Sequence, residues 1–226
     1  FEVLRPLSGD GKLEALARGV NLIPGSGEFA LATDIVYREI SPGREIAENA
    51  HTSANQSDFQ ASLDQLAAEL PNVTRVHLVV AWFGDDLRCG VCRIRPGVES
   101  SDRQTRPLAW SVAGVERDEA YVVSSSLGRP NYGGTPSDES VQQAIIALKA
   151  RGYHVTLYPF VLMDIPAGNT LPNPYGGSGQ PAFPWRGRIS CDPAPDLAGT
   201  ADGTSEAAAQ VDAFFAGKNG YRDFVL

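Results

Sequence analysis

Acidic side chains follow two long apolar stretches of the sequence. Asp85 and Asp86 lie just beyond residues 75–83 (RVHLVVAWF), and Asp164 directly follows residues 154–163 (HVTLYPFVLM). Two carboxyl groups flanking a glycosidic bond can hydrolyse it, because one protonates the leaving oxygen while the other attacks or activates water. Asp85 or Asp86 opposite Asp164 is therefore a candidate catalytic pair. The structural alternatives are a turn or helix cap for Asp85 and Asp86, and a strand-ending role for Asp164.

Aromatic, amide and guanidinium side chains near the predicted strand ends could hold a sugar. Aromatic rings form platforms for sugar rings, although a Trp more often anchors a loop by packing. The arginines could instead tie loops down by pairing with the aspartates. The candidate substrate-binding residues are Trp82, Arg129, Asn131, Tyr132, Trp185 and Arg186, with Arg188 close to them in sequence.

The three cysteines could in principle bind zinc. Cys89 and Cys92 form a C-x-x-C pair, and a site would need Cys191 plus one histidine: His51, His77 or His154. Zinc sites of this kind usually have a second closely spaced ligand pair, and none is present, so we expect no metal. Free thiols are the alternative, with Cys191 in contact with Cys89 or with Cys92.

No motif for a nucleotide or a catalytic triad is present. Residues 128–134 (GRPNYGG) do not fit G-x-G-x-x-G, and no G-x-x-x-x-G-K-[ST] occurs, so we expect no cofactor. None of the three histidines stands at the carboxyl end of a predicted strand, which disfavours a Ser/His/Asp triad.

The elements that would position these residues alternate between helix and strand. Helices are predicted from Ser57 to Pro71, from Thr135 to Gly152, and from Thr204 or Ser205 to Gly217, the last with Ala207, Ala208, Val211, Phe214 and Phe215 inward. Strands are predicted at 75–83, 120–124 and 154–163. This alternation predicts an α/β fold with parallel strands, and a (β/α) TIM-barrel-like domain with long Pro/Gly-rich loops is favoured over an open doubly wound sheet.

The predicted organisation is a lead-in or linker over 1–56 followed by the barrel-like domain over 57–226. In such a barrel the carboxyl ends of the strands share one rim, which would bring the candidate residues together. The chain begins at Phe1 and ends at Leu226 inside an apolar pattern, so we expect it to be a segment of a longer protein.

Composition excludes some partners. The 226 residues carry a formal charge of −8 with no block of basic residues, so direct nucleic-acid binding is not expected. No run of about 18 apolar residues occurs, so no membrane span is expected either. The 23 glycines and 16 prolines indicate long irregular loops, where functional residues are common.

Five blocks of the sequence resemble the glycoside-hydrolase TIM-barrel-like domain of tail-tip proteins from gene transfer agents and tailed phages. The similarity spans about residues 22–226. The blocks are VVAWFGDDLRCGVCRIRPGVE (79–99), WSVAGVERDEA (110–120), GRPNYGGTPSD (128–138), YPFVLMDIPAGNTLPNPYGG (158–177) and QPAFPWRGRISCDPAP (180–195).

The resemblance implies a virion protein at the tail tip or baseplate hub, made in the bacterial cytoplasm. Its partners would be other tail-tip proteins, the rest of its own longer chain, and cell-surface glycan. Because the family continues past the position of Leu226 with further strands and an acidic motif, a second catalytic carboxylate could lie outside this chain. Two functions remain: a structural and host-recognition module, or an active glycoside hydrolase that degrades envelope polysaccharide or peptidoglycan during DNA delivery.

Overall fold

The computed structural model describes residues 12–24, 27–182 and 188–216. The chain divides into two compact units. Of the described residues, the first unit comprises 12–24, 27–80, 103–110 and 136–158, and the second comprises 81–102, 111–135, 159–182 and 188–216.

The described residues form four helices and thirteen mostly short strands. In chain order they are α1 Leu13–Leu16, β1 Gly19–Leu22, β2 Tyr37–Ser41, β3 Arg44–Ala47, α2 Asp58–Glu69, β4 Arg75–Gly84, β5 Ile94–Arg95, β6 Gly97–Val98, β7 Thr105–Arg106, β8 Ser111–Val112, β9 Val115–Glu116, β10 Tyr121–Val122, β11 Ser125–Ser126, β12 Arg129–Pro130, α3 Asp138–Ala150, β13 His154–Met163 and α4 Ser205–Ala216.

The predicted parallel-stranded barrel is wrong. Among the described residues no closed barrel is found, and the strands lie in several small sheets. The segment predicted as a strand at 120–124 holds only the two residues of β10, which pair with β6 and not with β4. Residues 85–135 carry no sustained apolar period, so they form hairpins and two-residue strands where a barrel needs long strands and helices.

The largest sheet retains parallel pairing between long strands. Its order is β1, β4, β13, and β5 pairs with β4 in the antiparallel direction. β1 runs parallel to β4, with Gly19 opposite Arg75. His154 donates its N–H to the carbonyl of Thr74, and Asp164 donates to that of Gly84, each over 2.8 Å. The offset is the same at both ends, so β13 also runs parallel to β4.

Serine caps start the two best-formed helices. The Ser57 hydroxyl accepts from the backbone N–H of Gln60 at the start of α2, as predicted. Ser137, and not Thr135, caps α3, accepting from the N–H of Ser140. Gly152 follows α3 with φ at 87°, a left-handed conformation that glycine adopts without a steric penalty and that ends the helix.

Helix α4 begins where predicted, but its predicted inward face is only partly correct. None of its residues is fully buried, and Val211 and Phe215 are 40% and 57% exposed. The half-buried side chains are those of Ala207, Gln210 and Phe214. These positions follow the i, i+3, i+7 spacing of one helix face, so the face towards the protein is rotated from the expected one. Gly217, the predicted end, lies outside the described residues.

The first unit has its own apolar core and a buried ionic contact. Glu28 is 3% exposed, and its carboxylate lies 4.0 Å from the Arg103 guanidinium, which also pairs with Glu48 over 3.4 Å. The buried apolar residues of this unit are Phe29, Leu31, Ala32, Val36, Phe59, Leu63, Val73, Val76, Leu78, Val79, Val80, Leu108, Trp110, Val141, Ala144 and Leu148.

The second unit is organised around two apolar clusters. One contains Leu87, Cys92, Met163 and Ile165, with Phe214 of α4 packed against it. The other contains Phe83, Val123 and Tyr132, with Tyr121 and Leu162 against it. The end of β4 and the end of β13 each contribute to a cluster. The loops that follow these strands therefore begin at residues held in apolar packing.

None of the helices in the described part of the chain is long and apolar enough to span a membrane.

Helix α3 offers a matched test of the first core. Leu148 is fully buried, and Ile146, two residues earlier, is 68% exposed. We expect Leu148→Ala to lower the free energy of unfolding by about 2–5 kcal/mol, because it removes buried methyl groups and leaves a cavity. Ile146→Ala should change it by less than about 0.5 kcal/mol. Urea unfolding monitored by circular dichroism measures both values, and similar losses for the two variants would contradict the assigned helix orientation.

Candidate functional site

The centre of the candidate site is Asp164, the first residue after β13. Its side chain is 1% exposed and accepts hydrogen bonds at both oxygens. Oδ2 accepts from the Tyr121 hydroxyl and from the Ser124 backbone N–H, each over 2.7 Å, and Oδ1 accepts from the Ser124 hydroxyl. A buried carboxylate is costly unless it is hydrogen-bonded, and these donors satisfy it.

Asn131 holds the donor Ser124 in place. The Asn131 backbone N–H and side-chain amide donate to the carbonyl and the hydroxyl of Ser124, each over 2.8 Å. Between the two residues the chain forms the β11–β12 hairpin, in which Ser125 pairs with Pro130. Asn131, predicted to bind substrate, therefore supports the aspartate through Ser124.

Tyr132 lies beside this cluster with an unpartnered hydroxyl. The residue is 7% exposed, and its oxygen has no hydrogen-bond partner in the described structure. Its ring centroid lies 5.5 Å from that of Phe83, with the rings tilted by 58°. Burial, and then the negative charge of Asp164, raises the pKa of the Tyr132 hydroxyl, so the group stays protonated.

A glycine makes room for this aromatic packing. A Cβ at Gly97 would lie 2.8 Å from the Phe83 ring and 3.0 Å from Val123. Gly97 also exchanges backbone hydrogen bonds with Thr135: its N–H donates to the Thr135 hydroxyl over 3.0 Å, and its carbonyl accepts from the Thr135 N–H over 2.7 Å. Larger residues at this position would displace the rings that pack near Asp164.

Asp85 is connected to the same cluster through an arginine. Its Oδ1 accepts from the Arg93 backbone N–H over 2.9 Å, and its Oδ2 lies 3.5 Å from the Arg95 guanidinium. That guanidinium stacks 3.9 Å above the centroid of the Tyr121 ring. Burial, and then the hydrogen bond to Asp164, raises the pKa of the Tyr121 hydroxyl, so it remains a donor.

Asp86 forms a separate and tighter network. Both of its oxygens accept from the Arg88 guanidinium, over 3.0 and 2.7 Å, and Oδ1 also accepts from the Arg88 backbone and from the Gln180 amide. Burial alone would raise the pKa of Asp86, but the hydrogen bonds from Arg88 and Gln180 outweigh it, so the pKa is lowered. Asp86 is therefore held as a carboxylate in an ion pair.

The other predicted ligand-binding residues are dispersed. Trp82 is 7% exposed in β4, so its ring offers little surface to a sugar. Arg129 is exposed on β12. Trp185 and Arg186 lie outside the described residues. Arg188 is described, and its carbonyl accepts from the Tyr175 hydroxyl over 2.9 Å.

Several residues of these networks were not predicted from the sequence. Tyr121 and Ser124 lie in the segment predicted as a strand. The alternation of polar and apolar residues along a strand does not show which side chains donate hydrogen bonds to a distant carboxylate. Gln180 begins the block QPAFPWRGRISCDPAP, but its partner Asp86 is 94 residues away. Arg88 was not predicted either, although an arginine two residues after an aspartate in a turn is a recognisable pairing signal.

Within the described part of the chain, no group of three or more His, Cys, Asp or Glu side chains is arranged to hold a metal ion. Cys92 is buried, while Cys89 and Cys191 are half-buried, and none of the three forms a disulfide.

Comparison with known proteins adds no family assignment. A scan against protein-family models finds no match, and a search of the curated proteins finds none either. The likeness of the five sequence blocks to tail-tip proteins therefore stays a prediction.

The two tyrosines beside Asp164 give a matched test of the network. We expect Tyr121→Phe to lower the free energy of unfolding by about 1.5–3 kcal/mol, because a hydrogen bond to a buried charge is lost. Tyr132→Phe should leave stability unchanged or raise it, since it removes a buried hydroxyl that has no partner. Chemical denaturation of both variants measures this, and equal losses would contradict the assigned roles.

Asp86 should make stability depend on pH in the acidic range. Because its pKa is lower in the folded than in the unfolded state, its contribution is complete above the ordinary carboxyl pKa and is lost as pH falls through the lowered value. We expect the stability difference between the wild type and Asp86→Asn to be largest at pH 7 and to shrink towards pH 2–3. Urea titrations across this range measure it, with the exposed Asp118→Asn as the control for losing one charge. A difference independent of pH would contradict the ion pair.

Proposed function

We propose that this chain is a structural and host-recognition module of a phage or gene-transfer-agent tail tip that contacts cell-envelope glycan. The observation that supports the proposal is the hydrogen bonding of the three candidate acids. Each of Asp85, Asp86 and Asp164 already accepts hydrogen bonds from neighbouring protein groups. A catalytic pair needs carboxyl groups that are free to reach a glycosidic oxygen and a water or sugar carbon.

Asp86 is unsuited to either catalytic role. A general acid must be protonated near neutral pH, which requires a raised pKa, and that of Asp86 is lowered. A nucleophile must approach the sugar, and the Asp86 carboxylate is fixed by the fork of Arg88 and by Gln180. Asp86 and Arg88 form a structural ion pair that fixes the turn after β4.

The β11–β12 hairpin supports a recognition role. Its two central residues, Leu127 and Gly128, both have positive φ, at 52° and 74°, which corresponds to a tight two-residue turn. Leucine seldom adopts this conformation, and Leu127 is fully exposed at the tip. Arg129 is exposed beside it. An apolar tip next to a guanidinium offers a sugar both an apolar surface and hydrogen-bond donors, and strained exposed residues are common at binding sites.

The alternative function is an active glycoside hydrolase, and Asp164 is the observation that favours it. Its donors are hydroxyl and amide groups of Tyr121 and Ser124, which can rearrange more readily than an arginine fork. This alternative requires Asp164 to become accessible to substrate from its present 1% exposure.

Incubation of the purified chain with host envelope polysaccharide separates the two functions. We expect the chain to bind the polysaccharide in a co-sedimentation assay and to release no reducing sugar. Arg129→Ala should weaken binding roughly tenfold, the loss expected for one charged hydrogen bond. Arg44, which is also exposed and lies on β3 in the first unit, provides the matched control: Arg44→Ala should bind as the wild type does.

Three results would overturn the recognition proposal. Absence of binding, or equal weakening by Arg129→Ala and Arg44→Ala, would remove the hairpin as a recognition surface. Release of reducing sugar by the wild type, lost in a folded Asp164→Asn variant, would establish the hydrolase.

A further inference from the structure

We propose that Cys89 and Cys191 are a disulfide-forming pair, which closes by exchange with a small-molecule disulfide such as oxidised glutathione. In the structure both are free thiols within the second unit. The pair is independent of the glycan-recognition proposal, because neither residue belongs to the Asp164 cluster or to the hairpin.

The backbone places the two cysteines opposite each other. Arg88 and Ser190 form an isolated parallel bridge. In it the Ser190 N–H donates to the Leu87 carbonyl over 2.8 Å, and the Ser190 carbonyl accepts from the Cys89 N–H over 2.7 Å. Because the Cys89 N–H bonds to the carbonyl of the residue directly before Cys191, the backbones of the two cysteines lie side by side. A disulfide joins residues whose Cα atoms lie roughly 4.4–6.8 Å apart, and this direct backbone hydrogen bond brings the two cysteine segments close together.

The two sulfur atoms also face the same turn of α4. Cys89 Sγ lies 3.6 Å from the Gln210 carbonyl, and Cys191 Sγ lies 3.9 Å from the Ala207 carbonyl. Residues three apart lie on one face of a helix. Both thiols therefore point to the same small region, and a modest rotation about each Cα–Cβ bond would bring the sulfurs towards each other.

Gln210 fixes the helix against the cysteine segments. Its side-chain amide donates to the Asp192 carbonyl and accepts from the Asp192 N–H, each over 2.8 Å. On the other segment, a Cβ at Gly90 would lie 3.2 Å from Gln210 Cγ, so the helix packs closely there as well. This clamp keeps the two segments together before any covalent bond forms, which raises the effective concentration of one thiol at the other.

Cys92 is the internal control for reactivity. It is 3% exposed within the cluster of Leu87, Met163 and Ile165, and burial raises the pKa of its thiol to about 11. A thiol in such surroundings forms little thiolate, which is the reactive species, so Cys92 should stay reduced. Burial, and then the neighbouring Cys191, also raises the pKa of Cys89, and exchange should therefore be faster at pH 8.5 than at pH 7.

The reaction needs only the two protein thiols and one molecule of oxidised glutathione. One cysteine loses its proton, and its thiolate attacks a sulfur of the glutathione disulfide, forming a mixed disulfide and releasing one glutathione thiolate. The second cysteine, once deprotonated, attacks the protein sulfur of the mixed disulfide and releases the second glutathione. The two protein thiols are oxidised by two electrons, the glutathione disulfide is reduced, and the two protons end on the released glutathiones.

The test is incubation of the folded chain with oxidised glutathione at pH 8.5, followed by alkylation and peptide mapping under non-reducing conditions. We expect two of the three thiols to be lost, with a linked Cys89–Cys191 peptide, and Cys92 to be alkylated only after denaturation. The oxidised chain should melt several degrees higher than the reduced chain, because a cross-link over a long loop restricts the unfolded state. Cys92→Ala should still form the same link.

Other products would overturn the proposal. Stable glutathione adducts on Cys89 and Cys191 without a link would place the sulfurs too far apart. A link that includes Cys92 in the folded wild type would assign the wrong pair. In Cys89→Ser, Cys191 should carry a glutathione adduct, and the melting temperature should not rise on oxidation. Should that variant fail to fold, the wild-type peptide map alone decides between the outcomes.

Discussion

A charged aspartate can be buried only where the chain brings hydrogen-bond donors to it, and the second unit is arranged around this constraint. Asp164 directly follows β13 and is 1% exposed, and its donors come from Tyr121 and Ser124, some 40 residues earlier. Supplying them requires the β11–β12 hairpin, which is tied back through Asn131. The irregular segment between β4 and α3 thus has a structural purpose that its composition alone does not convey.

The same constraint shapes the functional proposal. The two acids after β4 are stabilised differently: Asp86 by an arginine fork within its own turn, and Asp85 by a backbone N–H and the guanidinium of Arg95. The donors of both acids restrict their movement, and those of Asp86 also lower its pKa, whereas acid–base catalysis needs a mobile group that can take up a proton. The proposed recognition surface has no such need, since the exposed hairpin would supply the contacts while Ser124, at its base, stays bonded to Asp164.

The sequence predicted some elements well and others poorly, for identifiable reasons. Helices α2 and α3 and strands β4 and β13 carry local signals: a serine cap, a 3.6-residue period, or a long β-branched run. The barrel prediction extended this regularity into residues 85–135, where two-residue strands depend on turns and on partners distant in sequence. Asp85, Asp86 and Asp164 were identified as noteworthy by position, but their partners could not be, because Tyr121 and Gln180 approach them only after folding. The rotated face of α4 has a similar origin, since Gln210 turns inward to bond with Asp192.

The amide of Gln180 that reaches Asp86 has a consequence for biosynthesis. The two residues are separated by 94 positions, and the Gln180 side chain also accepts from the Leu87 backbone N–H. At translation rates of about 5–20 residues per second, the turn after β4 is synthesised roughly 5–20 seconds before Gln180, the residue that completes its hydrogen bonds. During that interval Asp86 has only Arg88 as a partner and the Leu87 N–H lacks its acceptor, so this region can close fully only after the loop-rich segment is made.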